Sequence, residues 1–193
     1  MSKIIALLGP SGVGKGLLKS YLIKQATVDF IVPKIFTTRP SRKDDLDSNK
    51  VSISQEEFEL QVEEGTIIYP HSIRYSTGYL YGFSRDDLAL YPANNLLIEL
   101  YPHLLELFKN KYQKDLISFA LLASKNRLKK NLMRRETETE SSFNDRIKLG
   151  EEEEKIILNL NKLGYIDYLY NLDNLSEEII KLKDKIYDII LSE

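Results

Sequence analysis

The run Gly9-Pro10-Ser11-Gly12-Val13-Gly14-Lys15 follows the apolar segment Ile4-Ile5-Ala6-Leu7-Leu8 and leads straight into Leu17, Leu18, Tyr21 and Leu22. Strand, glycine-rich turn and amphipathic helix, in that order, form the setting of a phosphate-binding loop. Glycines let the backbone curl so that successive N–H groups point into one concavity. The start of the following helix adds a positive field, and Lys15 is spaced to reach the outer phosphates of a nucleotide. A turn that merely links strand to helix needs neither this lysine nor this spacing. One position departs from the usual pattern. Gly16, followed by Leu17, stands where a hydroxyl residue normally touches Mg²⁺. The metal is therefore expected to be held by nucleotide phosphates and water, which Mg²⁺ tolerates, and no protein metal ligand is assigned.

The chain has 193 residues, enough for one sizeable α/β core with small insertions. Its net charge of −2 supplies no global field to recruit nucleic acid. The absence of cysteine excludes disulfides, thiolate catalysis and cysteine-type zinc sites, and fits a cytoplasmic protein. No apolar run approaches the ~20 residues needed to span a bilayer. The first apolar stretch reads as a buried strand, not a signal peptide.

Residues 3–8 read as a central strand and 14–26 as the helix after the loop. Asp29 to Phe36 reads as a second strand, followed by a polar loop over 37–50. Ser54 with Glu57 three residues later is a capping box opening a helix that ends near Gly65. Thr66–Tyr69 and Tyr79–Phe83 are short strand candidates; Asn95–Tyr101, Leu116–Leu122 and Tyr165–Tyr170 are strands of a buried sheet. Helices are expected over 102–112, 124–134, 141–163 and 175–192. Such alternation predicts an α/β three-layer sandwich around a central parallel sheet, with ligands at the carboxyl ends of its strands.

Three further clusters bear on chemistry. Thr37-Thr38-Arg39-Pro40-Ser41-Arg42 places two arginines beside a proline-stiffened turn, a second anion site if it is more than a solvated basic loop. Arg134-Arg135-Glu136-Thr137-Glu138-Thr139-Glu140, with Arg146 beyond it, is either an exposed connection between helices or a lid whose arginines swing over a transferring phosphoryl group. Glu99 closes an apolar strand, as a metal-assisting acid or as a strand-end residue in water. Glu151 to Glu154 reads as a solvated face, with Glu151 pairing to Lys155. His71 and His103 lack partners at metal-ligand spacing and read as structural, and the twelve tyrosines read mostly as packing.

In order along the chain, Gly9 to Gly16, Phe36 to Arg42, Val51 to Phe58, Tyr81-Gly82, Leu128 to Glu140, Arg146 and Asn171-Leu172-Asp173 resemble the guanylate kinase family over nearly the whole sequence. The resemblance implies a P-loop kinase with a core (1–33, 91–133 and 151–193), an acceptor-binding insertion (about 34–90) and a lid (about 134–150). It implies ATP and Mg²⁺ as partners of Gly9, Pro10, Ser11, Gly12, Val13, Gly14, Lys15, Gly16 and Leu17, with Asn171 near adenine. It implies a small phosphorylated acceptor, by default GMP, at Thr38, Arg39, Arg42, Tyr81 and Glu99. It implies Lys15, Arg39, Arg135 and Arg146 as catalytic residues.

The departures from the family fall on the acceptor base. Ile35, Tyr69, Tyr101 and Phe83 stand where the resemblance implies Ser, Glu, Asp and Ser, and Lys50 or Val51 stands for a Tyr. Guanine offers N–H donors, and a site that leaves them unpaired loses about 1–3 kcal/mol each. Two alternatives therefore stay open. One is a kinase of ribose 1,5-bisphosphate or another phosphorylated small molecule, with similarity in Thr38-Arg39-Pro40 and Asn49 to Phe58. The other is a non-catalytic module of the same fold, which the whole phosphate loop argues against.

Overall fold

A computed structural model of the chain describes residues 2–24, 27–41, 49–72, 78–133 and 140–192. Five strands form a wholly parallel sheet: β1 (Ile4–Leu8), β2 (Phe30–Ile31), β7 (Asn95–Glu99), β8 (Leu116–Leu122) and β9 (Tyr168–Asn171), in the order β2-β7-β1-β8-β9. β1 is central and all five of its side chains are buried, so it reads as a continuous apolar run. Its residues alternate between two cores. Ile4, Ala6 and Leu8 pack with α4 (Leu105–Tyr112) and α6 (Glu140–Lys162). Ile5 and Leu7 pack with α1 (Lys15–Lys24) and α7 (Leu175–Leu191). Ile179, Leu182 and Ile186 form the buried stripe of α7, at helical spacing. This is the expected three-layer α/β sandwich.

A second, mixed sheet lies within residues 35–84: β3 (Ile35–Thr37), β4 (Lys50–Ser52), β5 (Ile67–Ser72) and β6 (Leu80–Ser84), in the order β4-β3-β6-β5. The helix α2 (Gln55–Glu63) packs on one face through Phe58. Ser54 caps it by accepting from the Glu57 N–H at 3.1 Å, while the Glu57 carboxylate accepts from Gln61 instead of closing the capping box. The short helix α3 (Arg85–Leu88), capped by Ser84, and strand β4 were not expected from the sequence.

The expected strand over Asp29–Phe36 is split. Phe30–Ile31 joins the parallel sheet and Ile35–Thr37 the second one, with Pro33 between them. Proline cannot donate to a ladder, so the chain leaves one sheet there and enters the other. The expected strand over 165–170 begins three residues later, because Tyr165 still closes the end of α6 and the Asp167 carboxylate is taken by Ser118, whose N–H and hydroxyl both donate at 2.7 Å. The helix expected over 102–112 opens as a 3₁₀ turn at Pro102–Leu104, and α5 spans Lys125–Met133. Residues 25–26 of the first expected helix lie outside the described residues. Among the described residues no helix is long and apolar enough to cross a membrane.

Gly82 lets the second sheet close on α2. A Cβ there would lie 2.3 Å from Ile67 Cγ2 and 3.4 Å from the Phe58 ring. Ile67 is β-branched and buried, so neither methyl nor ring has room to move. Gly82→Ala is expected to lower the unfolding free energy by about 1–3 kcal/mol in urea denaturation, through overpacking. Unchanged stability would mean that this contact relaxes freely.

Candidate active site at the carboxyl edge of the parallel sheet

Parallel pairing puts the carboxyl ends of the core strands on one edge. The loop after β1 carries Gly9 to Gly14, Glu99 ends β7, and Asn171 ends β9. In the loop, Gly9, Gly12 and Gly14 have φ of 140°, 85° and 121°. A Cβ on Gly9 would lie 2.3 Å from the Leu121 carbonyl oxygen, so only glycine fits against β8. The Val13 N–H donates to Pro10 O at 3.2 Å and closes the turn. Lys15 begins α1, and its ammonium folds over the loop to donate to the carbonyls of Gly9 and Pro10. Gly16 has nothing within 4 Å of its Cβ position, and Leu17 is exposed.

The loop is braced from the far side by α5 and α6. Arg146 donates to the Ser11 hydroxyl at 3.2 Å, Asn131 donates to Gly12 O at 2.8 Å, and a Cβ on Gly150 of α6 would lie 3.3 Å from Pro10 Cβ. Ser11, Arg146 and Gly150 line a cleft here with Leu128 and Leu132. Asn171 accepts from the Asp173 N–H at 3.1 Å, and Asp173 in turn caps the chain at Ser124. Arg42 and Arg135 lie outside the described residues, as does the segment 134–139 of the expected lid.

Across the edge, Thr38 and Arg39 continue β3. The Thr38 hydroxyl accepts from the Leu80 N–H at 2.9 Å and ties the end of β3 to β6. The Arg39 side chain is buried, and its guanidinium donates to Pro40 O at 2.9 Å. Glu99 sits in a cluster of cations: Lys19 donates to its Oε1 at 2.8 Å, and the Lys50 ammonium is 3.9 Å from Oε2. Lys19 also donates to the Asn49 side chain at 2.8 Å. Burial pushes the Glu99 carboxyl up, but Lys50, Lys19 and Lys15 and the Lys19 hydrogen bond outweigh it and hold the group at about 2. Lys19 was not among the residues singled out, although it lies one helical turn beyond Lys15, and Lys50 was named only as a replacement for a tyrosine. No group of three metal-ligating side chains occurs among the described residues.

Tyr81 stacks on His71, with centroids 6.0 Å apart, and His71 stacks on Tyr101 at 5.8 Å and 10°. Tyr69 packs on Phe108, and its hydroxyl accepts from Lys111 at 2.7 Å.

Two expectations for the acidic run are corrected. Glu151 pairs with Lys125 across the α5–α6 contact rather than along its own helix with Lys155. Glu153 is buried at 7% exposure, and among the described residues its Oε2 has no hydrogen-bond partner. The signal was present: Leu149, Glu153, Ile157 and Leu160 fall on one buried helical stripe. Burial raises the Glu153 carboxyl to about 7, opposed by the nearby Lys15 ammonium. Its folded value thus lies above the unfolded value of 4.5. The stabilisation from its neutral form is complete below pH 4.5 and is lost as pH rises through about 7. Glu153→Gln does not titrate, so it is expected to gain on the native chain by about 3 kcal/mol between pH 4.5 and pH 8. Urea unfolding at both pH values checks this; a pH-independent difference contradicts it.

A parallel α/β core with a lysine-bearing glycine loop at its carboxyl edge defines a P-loop fold. The guanylate kinase family model matches residues 1–188. A guanylate kinase of Mesomycoplasma hyopneumoniae strain J is 30% identical over 192 residues, covering 95% of this chain and 93% of that one. The Bacillus subtilis guanylate kinase is 25% identical over 193 residues, covering 98% and 88%. The crystal structure of guanylate kinase from Anaplasma phagocytophilum superposes with a TM-score of 0.70 at 18% identity, over 99% of this chain and 85% of that one. The chain belongs to the guanylate kinase family and is an ATP-dependent kinase.

Proposed function

We propose that the chain transfers the γ-phosphoryl group of ATP to the phosphate of GMP, giving ADP and GDP, in the cytoplasm. The observation that carries this reading is the complete phosphate loop, closed by the Val13 N–H on Pro10 and covered by Lys15, in a member of this family. The phosphate of GMP is already anionic near neutral pH, so it attacks without a general base. Catalysis then rests on positioning and on neutralising charge.

Lys15 turns from the Gly9 and Pro10 carbonyls to the β and γ phosphates, which the loop amides also receive. Arg146, already at the loop through Ser11, holds the transferring group from the α6 side. Arg39 takes the acceptor phosphate. Gly16 offers no hydroxyl, and Glu99 is engaged by lysines. Mg²⁺ therefore enters with ATP as part of the substrate, held by phosphates and water. Arg42 and Arg135 are proposed to add to the acceptor and lid sides respectively.

A coupled ADP-release assay with Mg–ATP tests the reading against GMP, dGMP, AMP, CMP, UMP and ribose 1,5-bisphosphate. Selective turnover of GMP is expected. Turnover of another acceptor and not GMP overturns the assignment of substrate while keeping the chemistry. Lys15→Ala is expected to lower kcat by about 10²- to 10³-fold with a melting temperature within a few degrees of the native chain. Near-native turnover in that variant contradicts the mechanism.

A further inference from the structure

Resting on GMP as the acceptor, we propose that His71 reads the guanine base, presenting Nε2 as a hydrogen-bond acceptor to the N1–H and N2–H₂ edge. The position of His71 is built by an irregularity in β5. Ile68 pairs with Phe83 and His71 pairs with Tyr81. Phe83 and Tyr81 are two residues apart on β6 and share one face of the sheet. Ile68 and His71 are three apart, and in a regular strand they would point to opposite faces. One extra residue between them restores the match, where Tyr69 takes φ +55°. Pro70 follows, without an N–H to leave unpaired. A bulge of this kind re-aims the side chains beyond it, and a left-handed non-glycine residue is retained only where its surroundings hold it.

The face that receives His71 is the one turned to the core. Phe83 and Tyr69 on this side lie 5.7 and 4.8 Å from Phe108 of α4. His71 itself meets Tyr101, two residues past Glu99 at the end of β7. The imidazole therefore bridges the second sheet and the strand-end edge, on the same strand pairing that carries Thr37 opposite Tyr81 and leads into Thr38 and Arg39. On this proposal, the base of a nucleotide whose phosphate is held at Arg39 lies along this wall of rings.

The hydrogen-bonding sense of the ring follows from its neighbour. His71 Nδ1 is 2.9 Å from the Tyr69 carbonyl oxygen. A carbonyl only accepts, so Nδ1 carries the hydrogen, and in the neutral ring Nε2 is left as an acceptor. Burial lowers the His71 pKa below its ordinary 6.5, against the raising effect of the Tyr69 hydrogen bond, which keeps the ring neutral at neutral pH. Among the described residues no protein group bonds to Nε2. Guanine meets this lone pair with N–H donors; adenine meets it with the lone pair of its own N1. The aromatic wall thus supplies the acceptor that Tyr69 and Tyr101, as phenols, do not supply in carboxylate form.

The test measures KM and kcat for GMP and AMP in the native chain, His71→Phe and His71→Gln, with the ATP-induced rise in melting temperature as a check on folding. His71→Phe keeps a stacking ring and removes the acceptor. It is expected to raise KM for GMP about tenfold with little change in kcat, and to lower the GMP-over-AMP ratio of kcat/KM by the same factor. His71→Gln, whose amide oxygen can accept, should retain more of the preference than Phe. In the native chain 1-methyl-GMP, which lacks N1–H, is expected to show a similar rise in KM, a measurement that needs no variant to fold. A GMP KM in His71→Phe within twofold of native, or equal use of GMP and 1-methyl-GMP, overturns the role of His71 while GMP phosphorylation stands. Absence of GMP turnover in the native chain overturns the reading on which it rests.

Discussion

Parallel pairing of β1 with both β7 and β8 is the constraint on which the site depends. It sends every core strand to the same edge, so the phosphate loop, Glu99 and Asn171 arrive together although they are far apart in sequence. A parallel sheet requires cover on both faces, and the alternation of Ile4, Ala6 and Leu8 against Ile5 and Leu7 supplies it from a single buried strand. The phosphate loop is then wedged between two rigid neighbours. β8 approaches so closely at Leu121 that position 9 admits no side chain, and α6 braces Pro10 and Ser11 from the other side.

Electrostatics at this edge are organised around Lys15. Two carboxyl groups feel its ammonium, and they are displaced in opposite directions. Burial raises both. Glu99 is brought back down by two further lysines and a direct hydrogen bond, and stays ionised. Among the described residues Glu153 has only Lys15 to offset its burial and no bonding partner for Oε2, so its proton is held near neutrality. Partners, rather than depth, separate the two. An ionised Glu99 keeps Lys19 and Lys50 gathered at the end of β7.

What could be read from the sequence was what is local. The β1–loop–α1 unit is contiguous, and its glycines, lysine and apolar flanks define it without tertiary context. The helix cap at Ser54 and the buried strands Asn95–Glu99 and Leu116–Leu122 are of the same kind. The division of 29–36 between two sheets was harder, because both halves are apolar and β-branched and only Pro33 marks the break. Glu153 was hidden by its acidic neighbours, although its spacing from Leu149 and Ile157 places it on the buried stripe. Nothing local distinguishes Lys50 or His71. Lys50 gains its role from β4 lying beside β3 and facing Glu99, and His71 from a bulge whose register is set by a partner strand.

That last case bears on how a kinase keeps a base-reading pocket when its sequence drifts. Recognition of an N–H edge requires an acceptor at the right place and not a particular residue type. A neutral imidazole with its other nitrogen fixed by a carbonyl is such an acceptor, and it avoids the cost of burying a charge. It also stacks, which a carboxylate cannot, and so draws Tyr81 and Tyr101 into one rigid wall. The substitution works only if the side chain faces the core. A single change of side-chain type at position 71 in a regular strand would have pointed the ring to the α2 side. The left-handed Tyr69 and the imidazole two residues later are therefore one device, and the strain in the first is what gives the second its direction.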